Sequence, residues 1–267
     1  MAFHTAQIER DQALSKVPEV TLWFWIVKIL CTTLGETGGD AVTMSMNLGY
    51  AAGVGIFAAI FAVAVWAQAY SKAFHPYLYW TAIVATTTLG TALADFFDRS
   101  LGIGYAGGAT SLFLLLLLSI AIWYWSEGSV SVQTITNPRV EAFYWTTIMF
   151  SQTLGTALGD WVAATDRGGF GLGYEWGAVV FGAALALVAA AYYRTKISPV
   201  LLFWAAFVLT RPLGATLGDF LDKPIGAGGM HISRYYASAV LAGLIIVCVA
   251  ILPQRAGRHP GEERATS

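Results

Sequence analysis

Charged residues are scarce in this sequence. Only 12% of its 267 residues are Asp, Glu, Lys or Arg, whereas 57% are hydrophobic, and the mean hydropathy is +0.61. A soluble domain cannot cover its surface with so few charges, so the composition indicates a chain that is solvated mostly by lipid. The formal net charge of -1 gives no reason to expect a nucleic-acid partner.

The residues of redox and cofactor chemistry are few as well. Cys31 and Cys248 are the two cysteines, and both lie in apolar stretches, so we expect buried thiols without a disulfide framework or a CxxC metal site. No histidine pair within the apolar runs can hold a b-type haem, and HExxH, GxSxG, CxxCH and a P-loop are all absent. We therefore expect no enzyme activity and no cofactor. An intramembrane enzyme with paired carboxylates is the weaker alternative, because no nucleophile or metal-ligand set is visible.

Long apolar runs are abundant. A bilayer core about 30 Å thick requires roughly 20 apolar residues per helix. The stretches of this length are 20–39, 51–70, 77–95, 107–126, 141–161, 174–194, 199–219 and 235–253. We expect no cleavable signal peptide, because the first 19 residues are polar and charged. The fold class predicted is therefore all-α: a polytopic bundle of eight transmembrane helices, with a single membrane domain over 20–253 between tails 1–19 and 254–267.

The same pattern occurs four times along the chain. A tryptophan, a glycine ten residues later and an aspartate five residues after that recur without a gap, as W-x9-G-x4-D, beginning at Trp25, Trp80, Trp145 and Trp204. The glycine lies in the words TLGETGGD, TLGTALAD, TLGTALGD and PLGATLGD. Each repeat contains two spans, so the repeats are parallel in the membrane. The repeat bounds expected are 18–72, 73–127, 138–196 and 197–253.

With these words the chain resembles a family of bacterial integral membrane proteins that is defined by a four-fold repeat of unknown function. The resemblance covers residues 18–253 and rests on the TLGxxxGD motif. It implies a multi-spanning protein of the bacterial inner membrane, and it implies no activity.

The motif glycines form small-xxx-small pairs, which let helix backbones approach closely in lipid. We therefore expect the first helix of each repeat to lie in the tight centre of the bundle. The helix-packing residues predicted are Gly35, Gly39, Gly90, Gly155, Gly159, Gly214 and Gly218.

The motif aspartates require an explanation, because a charged carboxylate at the centre of a membrane helix raises the free energy of insertion by roughly 2.5–3.5 kcal/mol. If the tryptophans lie in the cytoplasmic aromatic belt, the aspartates lie about 22 Å into the membrane, by the helical rise. One interpretation is a ring of inward carboxylates that binds a cation, and the other is a set of helix ends that the outer interface solvates. The residues of the ring are Asp40, Asp95, Asp160 and Asp219, joined by Glu36 one turn before Asp40.

The first and last repeats diverge from the others, which suggests one asymmetric site. Glu36 and Asp40 are its expected acids, and Arg211 and Lys28 are candidate counter-ions, although these two bases can equally have a structural role. Hard oxygen ligands suit Mg²⁺, Mn²⁺ or Ca²⁺. The pairs Asp98–Arg99, Asp166–Arg167 and Asp222–Lys223 are interpreted as solvated loop residues.

The function expected is transport of a cation, a divalent metal ion such as manganese, with exchange for protons at the same carboxylates. The alternative is a non-catalytic scaffold or accessory subunit that is assembled through GxxxG packing. The partners expected are the lipid bilayer and a small cation, and a homo-oligomer is compatible with the sequence. The location expected is the bacterial inner membrane.

Topology gives the first testable prediction. Both termini should be cytoplasmic, because cytoplasmic loops are enriched in Lys and Arg. Nine bases flank that side, against Arg99, Arg167, Lys223 and Arg234 on the other. A reporter fused to the C-terminus should therefore be active only as a cytoplasmic protein. Activity of the periplasmic kind would overturn the orientation.

Overall fold

The computed structural model describes residues 16–71, 73–132, 135, 138–165 and 168–257, so most of both predicted tails lies outside the described residues. The described chain is helical and contains no strand. The long helices are α1 (Leu22–Asp40), α2 (Tyr50–Tyr70), α3 (Pro76–Asp95), α4 (Gly104–Glu127), α5 (Pro138–Ala163), α6 (Tyr174–Arg194), α7 (Pro199–Asp222) and α8 (Arg234–Ile251). The prediction of an all-α chain is confirmed, with each helix close to an expected span.

Five of these helices are long and apolar enough to cross a membrane: α2, α4, α6, α7 and α8. The other three, α1, α3 and α5, carry polar residues on a buried face, such as Lys28 and Glu36 in α1. In α2, α4, α6 and α8 only 11% to 28% of the apolar window is buried, so most of their surface is exposed and suits lipid.

The first helices of the four repeats form a closed inner ring. Helix α1 packs on α3, α3 on α5, α5 on α7, and α7 back on α1. The second helix of each repeat packs outside the ring, against the inner helix of the next repeat: α2 on α3, α4 on α5, α6 on α7 and α8 on α1. The repeats therefore interlock around the ring, and the last repeat closes onto the first.

The motif glycines lie where neighbouring inner helices touch. A Cβ atom at the first glycine of each motif would overlap the residue three positions before the motif glycine of the next repeat. These contacts are Gly35 with Thr87, Gly90 with Gln152, Gly155 with Arg211, and Gly214 with Thr32. One turn later, a Cβ at Gly39, Gly159 or Gly218 would meet Thr91, Ala215 or Glu36 at 2.7–3.1 Å. Glycine is thus required for this approach of the backbones.

The motif tryptophans do not form an aromatic belt. Trp80, Trp145 and Trp204 are buried and Trp25 is half-buried, because their helices form the inner ring. They pack edge-on with Tyr79, Tyr144 and Trp123 at the end of the ring opposite the aspartates. Exposed aromatic side chains occur on the outer helices instead, near both ends: Trp66, Tyr70, Tyr124, Trp125, Tyr192 and Tyr193 at one end, and Trp176, Tyr235 and Tyr236 at the other. A belt of this kind is typical of membrane interfaces.

The glycine contacts predict the effect of a large side chain. Gly155→Leu and Gly214→Leu should each destabilise the protein by about 1–3 kcal/mol or prevent folding, because leucine forces the inner helices apart. Gly243→Leu is the matched control, since no atom lies within 4 Å of a Cβ built there. Thermal unfolding of the purified variants in detergent measures the difference. Parental stability of both ring variants would show that these contacts do not determine the packing.

Candidate functional site

Three layers of side chains fill the centre of the inner ring. Residues four apart share a helix face, and on each inner helix the buried face runs through the positions three before, one after and five after the motif glycine. The arginine layer is Thr32, Thr87, Gln152 and Arg211; the glutamate layer is Glu36, Thr91, Thr156 and Ala215; and the aspartate layer is Asp40, Asp95, Asp160 and Asp219. All of these residues are at most 3% exposed.

Arg211 connects the four inner helices. Its Nη2 atom donates to Glu36 Oε2 at 3.0 Å, to Thr91 Oγ1 at 2.6 Å and to Thr156 Oγ1 at 2.5 Å. These acceptors belong to α1, α3 and α5, and Arg211 itself belongs to α7. The guanidinium is fully buried, so its charge is balanced at close range by the Glu36 carboxylate.

The aspartate layer is divided into two pairs, and one base bridges each pair. Lys223 Nζ lies 2.6 Å from Asp40 Oδ2 and 2.9 Å from Asp219 Oδ1. Burial opposes the charged form of Lys223, but Asp219, Asp40 and Asp222 outweigh it and hold the pKa of this ammonium well above its usual value. On the other side of the ring, Arg99 Nε lies 2.6 Å from Asp95 Oδ1, and Arg99 Nη2 lies 3.3 Å from Asp160 Oδ2.

The two bridging bases occupy the same place in alternate repeats. Arg99 and Lys223 each follow the motif aspartate by four residues, in the words DFFDR and DFLDK, whereas Met44 and Ala164 stand there in the first and third repeats. The ring therefore has a two-fold charge pattern on a four-fold backbone. The interpretation of Asp98–Arg99 and Asp222–Lys223 as solvated loop pairs is wrong, since all four side chains are at least largely buried. Asp166 and Arg167 lie outside the described residues.

Arg234 is a site residue that the sequence did not reveal. Tyr50 and Tyr174 are the first residues of α2 and α6, and Arg234 is the first residue of α8. Its Nη2 lies 3.6 Å from Asp40 Oδ2 and its Nε lies 3.0 Å from Asp222 Oδ2. The outer helices of the other three repeats carry a tyrosine and, three residues later, a glycine near their start, and the departure from this pattern at Arg234 and Ala237 was the available signal.

Three of the expected acids lie together, and two do not join them. One oxygen each of Glu36, Asp40 and Asp219 lies within 4.8 Å of the others, close enough to share a metal ion. Asp95 and Asp160 lie in the other half of the aspartate layer, with Arg99. Asp40 Oδ1 is buried and has no hydrogen-bond partner among the described residues. The five carboxyl groups of these layers contact four bases, which are Arg99, Arg211, Lys223 and Arg234.

Lys28 lies apart from this group of acids. It is fully buried on α1, two helical turns before Glu36, and its Nζ lies 3.6 Å from the centre of the Phe207 ring. Among the described residues, Nζ has no hydrogen-bond partner. Lys28 therefore has a cation–π contact in place of an ion pair with the Glu36 carboxylate.

Threonines near the motif glycines are of two kinds. Thr33, Thr88 and Thr153 bond back to a carbonyl four residues earlier on their own helices. Thr91, in contrast, donates to Gly35 O at 3.0 Å and contacts Glu36 and Arg211 in the centre of the ring. Only the second kind lines the site.

Comparison with known families confirms the prediction of a four-fold repeat. A family model described as Repeat of Unknown Function (DUF347) matches the chain four times, at residues 23–74, 78–129, 143–198 and 202–254. No curated protein and no solved structure matches the chain significantly.

The contact between Arg211 and Glu36 predicts a coupled pair. Arg211→Met should destabilise the protein by about 3–5 kcal/mol, because it leaves a buried carboxylate without its base. Adding Glu36→Gln should recover part of that loss, since the amide has no charge to balance. The surface pair Arg139–Glu127 is the control, and Arg139→Met should cost less than about 1 kcal/mol. Additive effects of the two ring substitutions in thermal unfolding would contradict the coupling.

Proposed function

Because the chain belongs to the DUF347 family, which is defined by a repeat of unknown function, we propose a function from its own geometry: it transports a small cation across the bacterial inner membrane. All eight helices span the bilayer, and both termini are cytoplasmic. Helices α1, α3 and α5 are less apolar than the others, but they lie in the inner ring, and α8, α2 and α4 pack outside them. Polar residues in membrane helices are expected to face a protein interior of this kind.

One observation carries the proposal: the cluster of Glu36, Asp40 and Asp219. Three carboxylate oxygens within 4.8 Å of one another are hard ligands, the kind that Mg²⁺, Mn²⁺ and Ca²⁺ prefer. We therefore favour a divalent metal ion, such as manganese, as the cargo.

Protons are the natural exchange partner at this site. A buried carboxylate that releases a metal ion is left with an unbalanced charge, and a proton on the same oxygen removes that charge. Uptake should accordingly depend on pH, because the proton and the metal ion compete for the same oxygens. This coupling is also part of the proposal.

A non-catalytic scaffold is the second candidate, and two features of the ring favour it. The glycines hold the inner helices together, and every motif aspartate has a base within 3.3 Å. In such a scaffold the buried charges would only fix the register of the helices. The two candidates differ in one consequence, which is whether removal of a carboxylate charge abolishes the movement of an ion.

Uptake of Mn²⁺ into proteoliposomes tests the proposed function. Glu36→Gln, Asp40→Asn and Asp219→Asn keep the shape of the side chains but remove ligand charge. Each should reduce uptake about tenfold or more, since a lost ligand that costs about 1.4 kcal/mol changes an equilibrium tenfold. Asp95→Asn and Asp160→Asn, in the half that Arg99 bridges, are the comparison, and they should have smaller effects.

The scaffold candidate makes the opposite prediction for the same assay. If the parent protein moves no divalent cation, or if all the amide variants move it at the parental rate, the carboxylates are not a transport site. Thermal unfolding of each variant confirms that a loss of uptake is not a loss of folding.

A further inference from the structure

Lys223 occupies the space that a bound cation would need. Its ammonium contacts Asp40 Oδ2 at 2.6 Å and Asp219 Oδ1 at 2.9 Å, and these belong to two of the three clustered acids. A divalent metal ion bound to the same oxygens would lie about 2.0–2.6 Å from each of them. The ion and the ammonium would then be in contact, with like charges. One must leave before the other can bind.

We propose that Lys223 is a tethered competitor of the transported cation: its ammonium bridges Asp40 and Asp219 in the cation-free protein and moves out when a divalent cation enters. The inference rests on the proposed function, and it assigns a role to a residue that the sequence placed among solvated loop residues. The unpartnered Oδ1 of Asp40 supports it, because this buried oxygen remains available to an ion when Lys223 holds only Oδ2.

The proposed movement involves the side chain of Lys223, because its backbone is hydrogen-bonded to Asp219 O and His231 N. Helix α7 ends at Asp222, and Lys223 follows in an extended conformation, with φ -69° and ψ 153°. A short turn at Ile225–Ala227 and a left-handed Gly228, with φ 86°, come next. Lys223 therefore lies just beyond the end of the helix, and its side chain, 10% exposed, attaches the ammonium to the backbone by a flexible four-carbon stem.

Arg99 provides the contrast, because it stands at the same position of the second repeat. It belongs to a π-helical turn, Phe96–Ser100, that continues directly from α3. Its planar fork holds Asp95 and Asp160 with two different nitrogens, a geometry that suits a fixed ion pair. The residues equivalent to Glu36 beside this pair are Thr91 and Thr156, and in the described part of the chain no three acids lie close enough together here to share an ion. The lysine half of the ring is thus exchangeable, and the arginine half is fixed.

A tethered ammonium also selects the charge of the ion. An entering cation must attract Asp40 and Asp219 more strongly than the ammonium that it displaces. A monovalent ion brings no more charge than Lys223, whereas a divalent ion brings twice as much. The device therefore favours divalent cations over the monovalent ions of the surrounding solution.

Binding of Mn²⁺ to the purified full-length protein, measured by isothermal titration calorimetry, tests the inference. Lys223→Met removes the competitor and should bind Mn²⁺ about tenfold more tightly or better than the parent. Lys223→Arg keeps the positive charge on a planar guanidinium, which can hold both aspartates with separate nitrogens. This variant should therefore bind Mn²⁺ more weakly than the parent. Arg139→Met, which removes an exposed charge at the end of α5 opposite Asp160, is the control and should leave the affinity unchanged.

Arg99→Met distinguishes the two halves of the ring. It should lower the thermal stability without the gain in affinity that Lys223→Met shows. The inference is overturned if Lys223→Met binds no more tightly than the parent, or if Arg99→Met tightens binding equally. Should Lys223→Met fail to fold, an unchanged affinity of Lys223→Arg overturns it as well.

These results remain separate from the test of transport. Parental uptake of Mn²⁺ together with unchanged affinity of Lys223→Met contradicts only the tethered competitor. Tighter binding by Lys223→Met in a protein that moves no ion contradicts only transport.

Discussion

Close contact between the inner helices is the constraint on which the rest of the structure depends. Each inner helix presents a motif glycine to its neighbour, and the space that a Cβ would take is filled by Thr87, Gln152, Arg211 or Thr32. Since these four residues belong to the arginine layer, the contacts that close the ring also fix the layer at its centre. The glutamate and aspartate layers follow one and two turns later on the same helix faces. Packing and polar chemistry are thus determined by the same repeat.

Charge compensation explains why the four-fold pattern is broken. A ring of four identical buried aspartates, with no base between them, would hold like charges in a medium that stabilises them poorly. The chain places one base between the aspartates of each pair, at the fourth position after the motif aspartate in the second and fourth repeats. A further ion pair joins Arg211 of the arginine layer to Glu36 of the glutamate layer. The two bases differ in chemistry, since an arginine bridges one pair and a lysine bridges the other.

Much of the fold could be predicted from the sequence, because apolar stretches long enough to span a membrane and glycines at helix contacts both recur in every repeat. Helix positions followed from apolar length, and the central place of the inner helices followed from the spacing of the glycines. The approach of Arg211 to Glu36 was also expected, since both depart from the repeat. The layers themselves were harder to predict, because they require the rotation of each helix about its axis and the order of the helices around the ring.

The bases were misplaced for a related reason. Arg99 and Lys223 each follow an acid at the end of a helix, a pattern that in most chains indicates solvated loop residues. Their burial depends on neighbours from the next repeat, Asp160 for Arg99 and Asp40 for Lys223, and sequence distance conceals both. Arg234 was missed because it begins the last helix, and its approach to Asp40 of the first repeat depends on how the ring closes. The motif tryptophans were assigned to an interface belt, although their place on the inner helices buries them.

The central claim is that Glu36, Asp40 and Asp219 together hold one divalent cation inside the ring. An experimental structure determined with Mn²⁺, in which anomalous scattering locates the metal, tests this claim most directly. The account predicts one buried manganese peak bound by oxygens of these three residues, with the Lys223 ammonium displaced from Asp40 and Asp219. Lys223 still between the two aspartates at saturating Mn²⁺, with no metal peak inside the ring, would contradict it.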